Sequence, residues 1–379
     1  MTDNTKASGR EKTVIALVCG GHFFSHFYTL TLPPLFPLVI ADLGLSYTAL
    51  GAMITAYAIT SGVLQYPMGI LVDRFGAPRF IIAGLVVYAS AIGLMGLADS
   101  QWTLIALGVM AGLGNSVFHP ADYAVLGGMV NPARLGRAYA VHTFSGNVGW
   151  VVAPGTVTFL AAFWNWRVAV GAAALMGLAM AVVLLSQRRL LMQTAPKGRA
   201  TGKLSESGTS VVGFSVILSP AILMMFCFML FNSMTSNAVQ NFSPSVLINL
   251  HAMDLVSANM ALTGWLVGAA VGILAGGFLA DWLKRLDQIA AVGFTVAASI
   301  LVYIAFVKPP LGLLVACFIL GGFMLGMIMP SRDLMVQSAA PKGSSGRAFG
   351  FVFSASGLGG AVAPIAYGFA IDQGRPDAV

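Results

Sequence analysis

The chain has 379 residues, 58% hydrophobic and only 9% charged, with a formal net charge of +7. Soluble domains carry about 25% charged residues, so a water-solvated globule is excluded. The basic residues sit in short loops rather than in a stripe or tail, which argues against a nucleic-acid surface and makes them topology signals instead.

Apolar stretches recur at lengths near the ~20 residues that a spanning helix needs. Lipid offers the backbone no hydrogen bonds, so segments this long and apolar are helices. Eleven spans are predicted: 14–40, 47–72, 79–98, 102–130, 137–162, 166–186, 214–241, 255–280, 288–307, 310–331 and 347–371. The start (Lys6, Arg10, Lys12, then an apolar run) has the shape of a signal peptide. The run is too long for a signal core and shows no clear cleavage site, so it counts as the first span. Pro33, Pro34 and Pro37 remove backbone donors from that span and predict a bend. The stretch 187–213 is basic and Gly/Ser/Thr-containing, and predicts a cytoplasmic linker. It separates an N-terminal six-helix bundle (1–186) from a C-terminal bundle of five helices (214–379). Span seven is unusually polar, and Asn232, Ser236 and Gln240 follow i, i+4, i+8 spacing on one face. That face points to substrate, water or a neighbouring helix rather than lipid.

With the N-terminus cytoplasmic, all but three of the 20 Lys and Arg fall on the cytoplasmic side, the exceptions being Arg167, Lys308 and Arg375. The positive-inside rule therefore predicts that orientation. Cys19, Cys227 and Cys317 all lie within apolar segments and form no disulfide or metal spacing. No GxxxxGK[ST] sequence occurs, so ATP-driven transport has no support.

The halves repeat. Gly69-Ile-Leu-Val-Asp73 recurs as Gly277-Phe-Leu-Ala-Asp281 at an offset of 208. Gly136-Arg137-Ala138 recurs as Gly346-Arg347-Ala348, and Ala153-Pro154 as Ala363-Pro364, both at 210. Six spans separate the copies, an even number, so both halves cross in the same sense. Parallel repeats of this kind place a solute site between two bundles.

These residues resemble the major facilitator superfamily. The loop Gly69-Ile-Leu-Val-Asp73-Arg74-Phe-Gly76-Ala-Pro-Arg79 is similar to that family's GxLaDrxGrkxxl signature, with a weaker copy after the eighth span. Gly146-Asn147-Val-Gly149-Trp-Val-Val-Ala153-Pro154-Gly155 resembles the Gly/Pro motif of its exporters. Gly114-Asn115-Ser116-Val117-Phe118-His119-Pro120, followed by Leu135-Gly136-Arg137-Ala138, is similar to the fosmidomycin-resistance-like branch. The resemblance implies an all-α membrane fold of two parallel six-helix bundles, here with the twelfth helix missing. Drug/proton antiporters of the family carry an Arg in span four where Gly108 stands, so their coupling chemistry does not transfer.

The resemblance further implies that spans one, four, seven and ten line the cavity. Ser25, His26, Asn115, His119, Asn232, Ser236 and Gln240 are then the candidate substrate contacts. No Asp or Glu occupies a span centre, which leaves His26 and His119 as candidate proton carriers. The alternative for each is a neutral ring bonded to a helix carbonyl. Asp73, with Arg74 and Arg79, is expected to latch the cytoplasmic side near Arg347, with Asp281 as its repeat copy. Asp122 and Arg332 occupy equivalent repeat positions and suggest a gate pair, although Asp122 also has Arg137 and His142 within sequence reach and Arg332 has its neighbour Asp333.

The expected function is secondary active transport of a small solute by alternating access, as a proton-coupled exporter in the cell inner membrane. Proton-linked import of a small polar or anionic metabolite, and a non-transporting membrane sensor, remain open. A membrane metalloenzyme is a third class, since His22-Phe-Phe-Ser-His26 has the HxxxH form. Its five scattered histidines fall short of a di-iron set, so no metal, cofactor or catalytic residue is expected. The expected partners are the bilayer, the solute and a coupling proton or other ion, with no nucleic acid, for a monomer.

Overall fold

The computed structural model describes residues 9–192, 220–283, 285–339 and 345–379, without the side chains of 280–283, 286, 333, 334, 336–339 and 345–350. The described residues contain no strand, and eleven helical segments are long and apolar enough to cross a membrane. The first, Gly9–Leu43, is broken where the prolines predicted a bend. Helix α1 (Gly9–Thr29) gives way to a 3-10 turn at Pro33–Leu35, and α2 (Phe36–Leu43) resumes beyond it. Gly44, at φ 63°, closes α2 in the left-handed conformation that glycine adopts without Cβ strain.

The second and third spans are α3 (Tyr47–Phe75) and α4 (Ala77–Met95). Span four divides into α5 (Gln101–Asn115), capped by the Ser100 side chain, and α6 (Phe118–Met129). Pro120 explains the division. It has no N–H for the Ser116 carbonyl four residues back, and it falls in the first turn of α6, where a missing donor costs little. Spans five and six are α7 (Leu135–Phe163) and α8 (Trp166–Ser186), and a short α9 (Arg188–Met192) follows. The remainder of the expected linker, 193–213, lies outside the described residues.

Span seven departs most from expectation. It does not end at 241: α10 (Pro220–Asn237) passes through a π-helical segment, Ala238–Phe242, into α11 (Ser243–His251). Pro244 sits in the first turn of α11, where its missing donor costs little. A π turn holds more residues than an α turn, so each residue advances the phase less. Eight residues would overshoot two α turns (about 7.2 residues), and the wider turn brings Gln240 back toward the Asn232–Ser236 face. The remaining spans are α12 (Leu255–Leu283), α13 (Leu286–Phe306), α14 (Leu311–Ala339) and α15 (Ser345–Asp372).

Contacts group the described residues into two units. The first takes Met1–Leu32 with Ala56–Thr209, the second Pro33–Thr55 with Ser210–Val379. In the first, α1 packs on α6 and α7, and α4 on α5 and α8. In the second, α12 and α13 pack on α14, and α10 on α15. The α12–α14 contact is a small-residue seam. A Cβ on Gly268, Gly272 or Gly276 would run into the carbonyls of Ile319, Phe323 and Met327, so these helices approach backbone to backbone. Large apolar side chains such as Tyr66, Phe278 and Phe306 are exposed, as befits surfaces solvated by lipid tails.

Candidate functional site

Helices α1, α6 and α7 bring four of the chain's five histidines together inside the first unit. On α1, His22 and His26 stand one turn apart with ring centroids at 4.5 Å. Helix α6 supplies His119 and, three residues on, Asp122; α7 supplies His142. Asp122 is fully buried, His22 and His142 are 2% and 1% exposed, His26 is half-buried and His119 is exposed.

One carboxylate oxygen is the centre of the arrangement. Asp122 Oδ2 lies 3.2 Å from His22 Nδ1 and 3.0 Å from His142 Nε2. The two rings stack at 3.7 Å and 25°, and of the two nitrogens only His142 Nε2 is hydrogen-bonded to that oxygen. Around them, His119 meets His22 edge-on at 5.5 Å, Trp150 lies 4.3 Å from His26, and Tyr123 lies 5.5 Å from His142. Gly146 makes room for the imidazoles: a Cβ there would sit 2.9 Å from His22 Nε2 and 3.0 Å from His26 Cε1. One turn away, Gly149 lets α7 approach the Phe23 carbonyl of α1.

Two chemical readings are open to such a group. His22, Asp122 and His142 offer three ligand atoms within 4.8 Å of one another, as a metal site would. A metal about 2.0–2.1 Å from each nitrogen needs in-plane lone pairs that converge. Rings stacked at 25° hold their lone pairs in nearly parallel planes, and those planes do not converge at that distance. A shared proton fits better: His142 Nε2 is hydrogen-bonded to Asp122 Oδ2, and His22 Nδ1, 3.2 Å from the same oxygen and without a hydrogen bond of its own, is near enough to take part. Among the described residues no Lys or Arg lies within ion-pair distance of Asp122, so charge compensation falls to the imidazoles.

The comparisons with known proteins agree with the architecture. A family model described as Major Facilitator Superfamily matches residues 18–364. The chain belongs to that superfamily. This superfamily member is a multi-pass membrane protein, and its family and fold are those of membrane solute transporters. It is 22% identical to the fosmidomycin resistance protein of Escherichia coli strain K12 over 356 residues, covering 92% of this chain and 85% of that protein. It is 23% identical to the membrane sensor protein UhpC of the same strain, over 96% of this chain and 87% of that one. The fold matches the crystal structure of a bacterial homolog to the human lysosomal transporter Spinster, with a TM-score of 0.81, 16% identity and coverage of 97% and 84%.

The other candidate residues of this superfamily member divide into several groups. Ser25 is buried and donates to the His22 carbonyl at 2.8 Å, which engages its hydroxyl within α1. Asn115 donates to Ser61 Oγ at 2.9 Å, tying α5 to α3. Asn232 is buried, while Ser236 and Gln240 are half-buried. Asp73, Arg74 and Arg79 are exposed, and the Arg74 guanidinium lies 5.3 Å from the Phe75 ring centroid. Arg332 reaches Met329 Sδ at 2.9 Å and lies over the Phe353 ring. The side chains of Asp281 and Arg347 lie outside the described residues. Of the partners that sequence left open for Asp122, His142 is in contact, and His22 joins it.

In the sequence His22 stands out only as half of an HxxxH pair, and His142 only as a possible neighbour of Asp122. A signal was present, since four of five histidines fall in spans one, four and five. Nothing local, however, links positions 22, 122 and 142.

Proposed function

We propose that this transporter is a secondary active, proton-coupled exporter of a small solute, working by alternating access as a monomer in the cell inner membrane with its N-terminus cytoplasmic. The observation that supports proton coupling is the fully buried Asp122 oxygen shared by His22 and His142. A buried carboxylate costs several kcal/mol unless a positive charge or a proton compensates it. One proton taken up by the Asp122–His22–His142 group cancels its charge, and one released restores it. His119, exposed and 5.5 Å from His22, is the group through which that proton enters, with His26 beside it. Export is supported by the likeness of Gly146–Gly155 to the exporter motif and by the resistance protein among the relatives. The charge asymmetry of the loops supports the orientation. Asp73, Arg74 and Arg79 serve as the cytoplasmic latch.

The test uses purified protein in proteoliposomes, with a solute picked from a thermal-stabilisation screen of metabolites and antibiotics. Asp122→Asn should abolish accumulation driven by an imposed pH gradient while leaving solute counterflow intact. Gradient-driven accumulation at the parent level in Asp122→Asn refutes the assignment. The resemblance to a membrane sensor favours one second reading, a sensor that binds solute without moving it. That reading predicts stabilisation by a solute with no uptake or counterflow.

A further inference from the structure

The second unit contains a helix cap borrowed from another helix. Helix α3 begins at Tyr47, and its first backbone N–H groups need acceptors. The Asp372 carboxylate supplies them. Oδ1 accepts from the Tyr47 N–H at 2.8 Å, and Oδ2 accepts from the Thr48 N–H at 2.8 Å and the Thr48 hydroxyl at 2.6 Å. Asp372 is the last residue of α15, where that helix's own dipole disfavours an anion. The positive end of α3 is what makes the position favourable, so the carboxylate serves α3 at the expense of α15.

The internal repeat shows how a self-contained cap looks at the equivalent place. Ser46 corresponds to Asp254 at the repeat's offset of 208. Asp254 accepts from the Ser257 N–H at 2.9 Å and so provides a carboxylate at the start of α12 from its own chain segment. At the start of α3 the local residue is only Ser46, accepting from the Ala49 N–H at 3.1 Å, and the anion arrives from α15. The neighbouring packing is close. Gly51 and Gly368 let the two backbones meet at the Pro364 and Tyr47 carbonyls, Thr55 donates to the Ala361 carbonyl at 2.8 Å, and Asn249 donates to the Tyr47 hydroxyl at 2.8 Å. Asp372 itself is exposed, so water can replace α3 at its oxygens when the contact opens.

We infer that Asp372 is a releasable latch, a cap that fastens the Pro33–Thr55 segment to α15 in one state of the transport cycle and lets it go in another. Helix α3 continues past Thr55 into the first unit, so the fastened turns belong to a helix that both units share. The latch is independent of proton coupling, and its opening is read as a distance, without a solute.

The test is pulsed electron spin resonance on the full chain in lipid nanodiscs. Cys19, Cys227 and Cys317 are replaced by Ala, and spin labels are placed at Ala41→Cys and Gln373→Cys, both exposed positions. Two distances are expected, one short and one long. Asp372→Ala should raise the ratio of long to short about five-fold, the size of effect that losing a helix cap typically has. Thr48→Val removes one of the three bonds and keeps the backbone ones, so it should shift the ratio the same way by less. It also carries the test should Asp372→Ala fail to give monodisperse protein. A single short distance that neither variant moves would mark a static cap and overturn the latch. Proton coupling is judged separately, by the Asp122→Asn uptake measurement.

Discussion

Three glycines on one helix provide a graded test of the histidine cluster. They sit in α7 at positions 146, 149 and 155, and an added methyl group would meet different surroundings at each. At Gly155 nothing lies within 4 Å, so Gly155→Ala should gain the helix-propensity difference of about 1 kcal/mol. At Gly146 the methyl would sit 2.9–3.0 Å from atoms of His22 and His26, some tenths of an ångström inside normal contact. The rings must shift, and overpacking of this kind costs ~1–3 kcal/mol, which cancels or outweighs the propensity gain. At Gly149 the methyl would strike the Phe23 carbonyl, which is backbone and moves only if α1 and α7 separate. The expected order of melting temperature in detergent is Gly155→Ala above the parent, Gly146→Ala at or slightly below it, and Gly149→Ala lowest. Gly146→Ala should also reduce pH-gradient-driven accumulation, because it displaces His22 from Asp122, while Gly155→Ala should not. If Gly146→Ala matched Gly155→Ala in both melting and gradient response, the imidazoles would not lie against α7 and the cluster would be wrongly drawn.

Other perturbations test the supporting structure. Glu11, 6% exposed, receives Arg134 Nη2 at 2.6 Å and the Asn131 N–H at 3.1 Å; Arg134→Met removes a charge-assisted hydrogen bond and should lower stability by about 1.5–3 kcal/mol, read as a drop in melting temperature. Hydrogen bonds from Ser257 hold the Asp254 carboxyl below its ordinary range, so the cap's contribution is present above the unfolded-state value and fades as pH falls through the folded one. Asp254→Ala should therefore cost about 1 kcal/mol at neutral pH and nothing measurable in strong acid, checked by melting at both.

Much of the fold was legible because lipid imposes simple rules. A run of about twenty apolar residues has one available backbone structure, and the eleven such runs predicted correspond to the eleven helical segments found. Proline chemistry was legible too, although its outcome depended on position. Pro33 and Pro34 break the first span as expected, whereas Pro244 starts a new helix after a π segment and lengthens the seventh. Pro244 falls in the first turn of α11, where its missing donor costs little, and Pro67 and Pro154 even lie inside continuous helices, so a proline alone does not say whether a span breaks. The site was only partly legible. His26 and His119 were marked because they interrupt apolar spans, and that signal is local to each of them.

Composition, period and offset survive in one dimension, and they suffice to make this chain a membrane protein of two parallel repeats within the major facilitator superfamily. Only the tertiary structure decided that Asp122 meets His22 and His142 rather than standing alone on its helix, and that Asp372 caps a helix 324 residues earlier in the chain. Helical periodicity specifies which residues share a face of one helix. Which faces meet is set by where glycines such as Gly146 and Gly149 allow two backbones to close, and that depends on every other contact in the bundle.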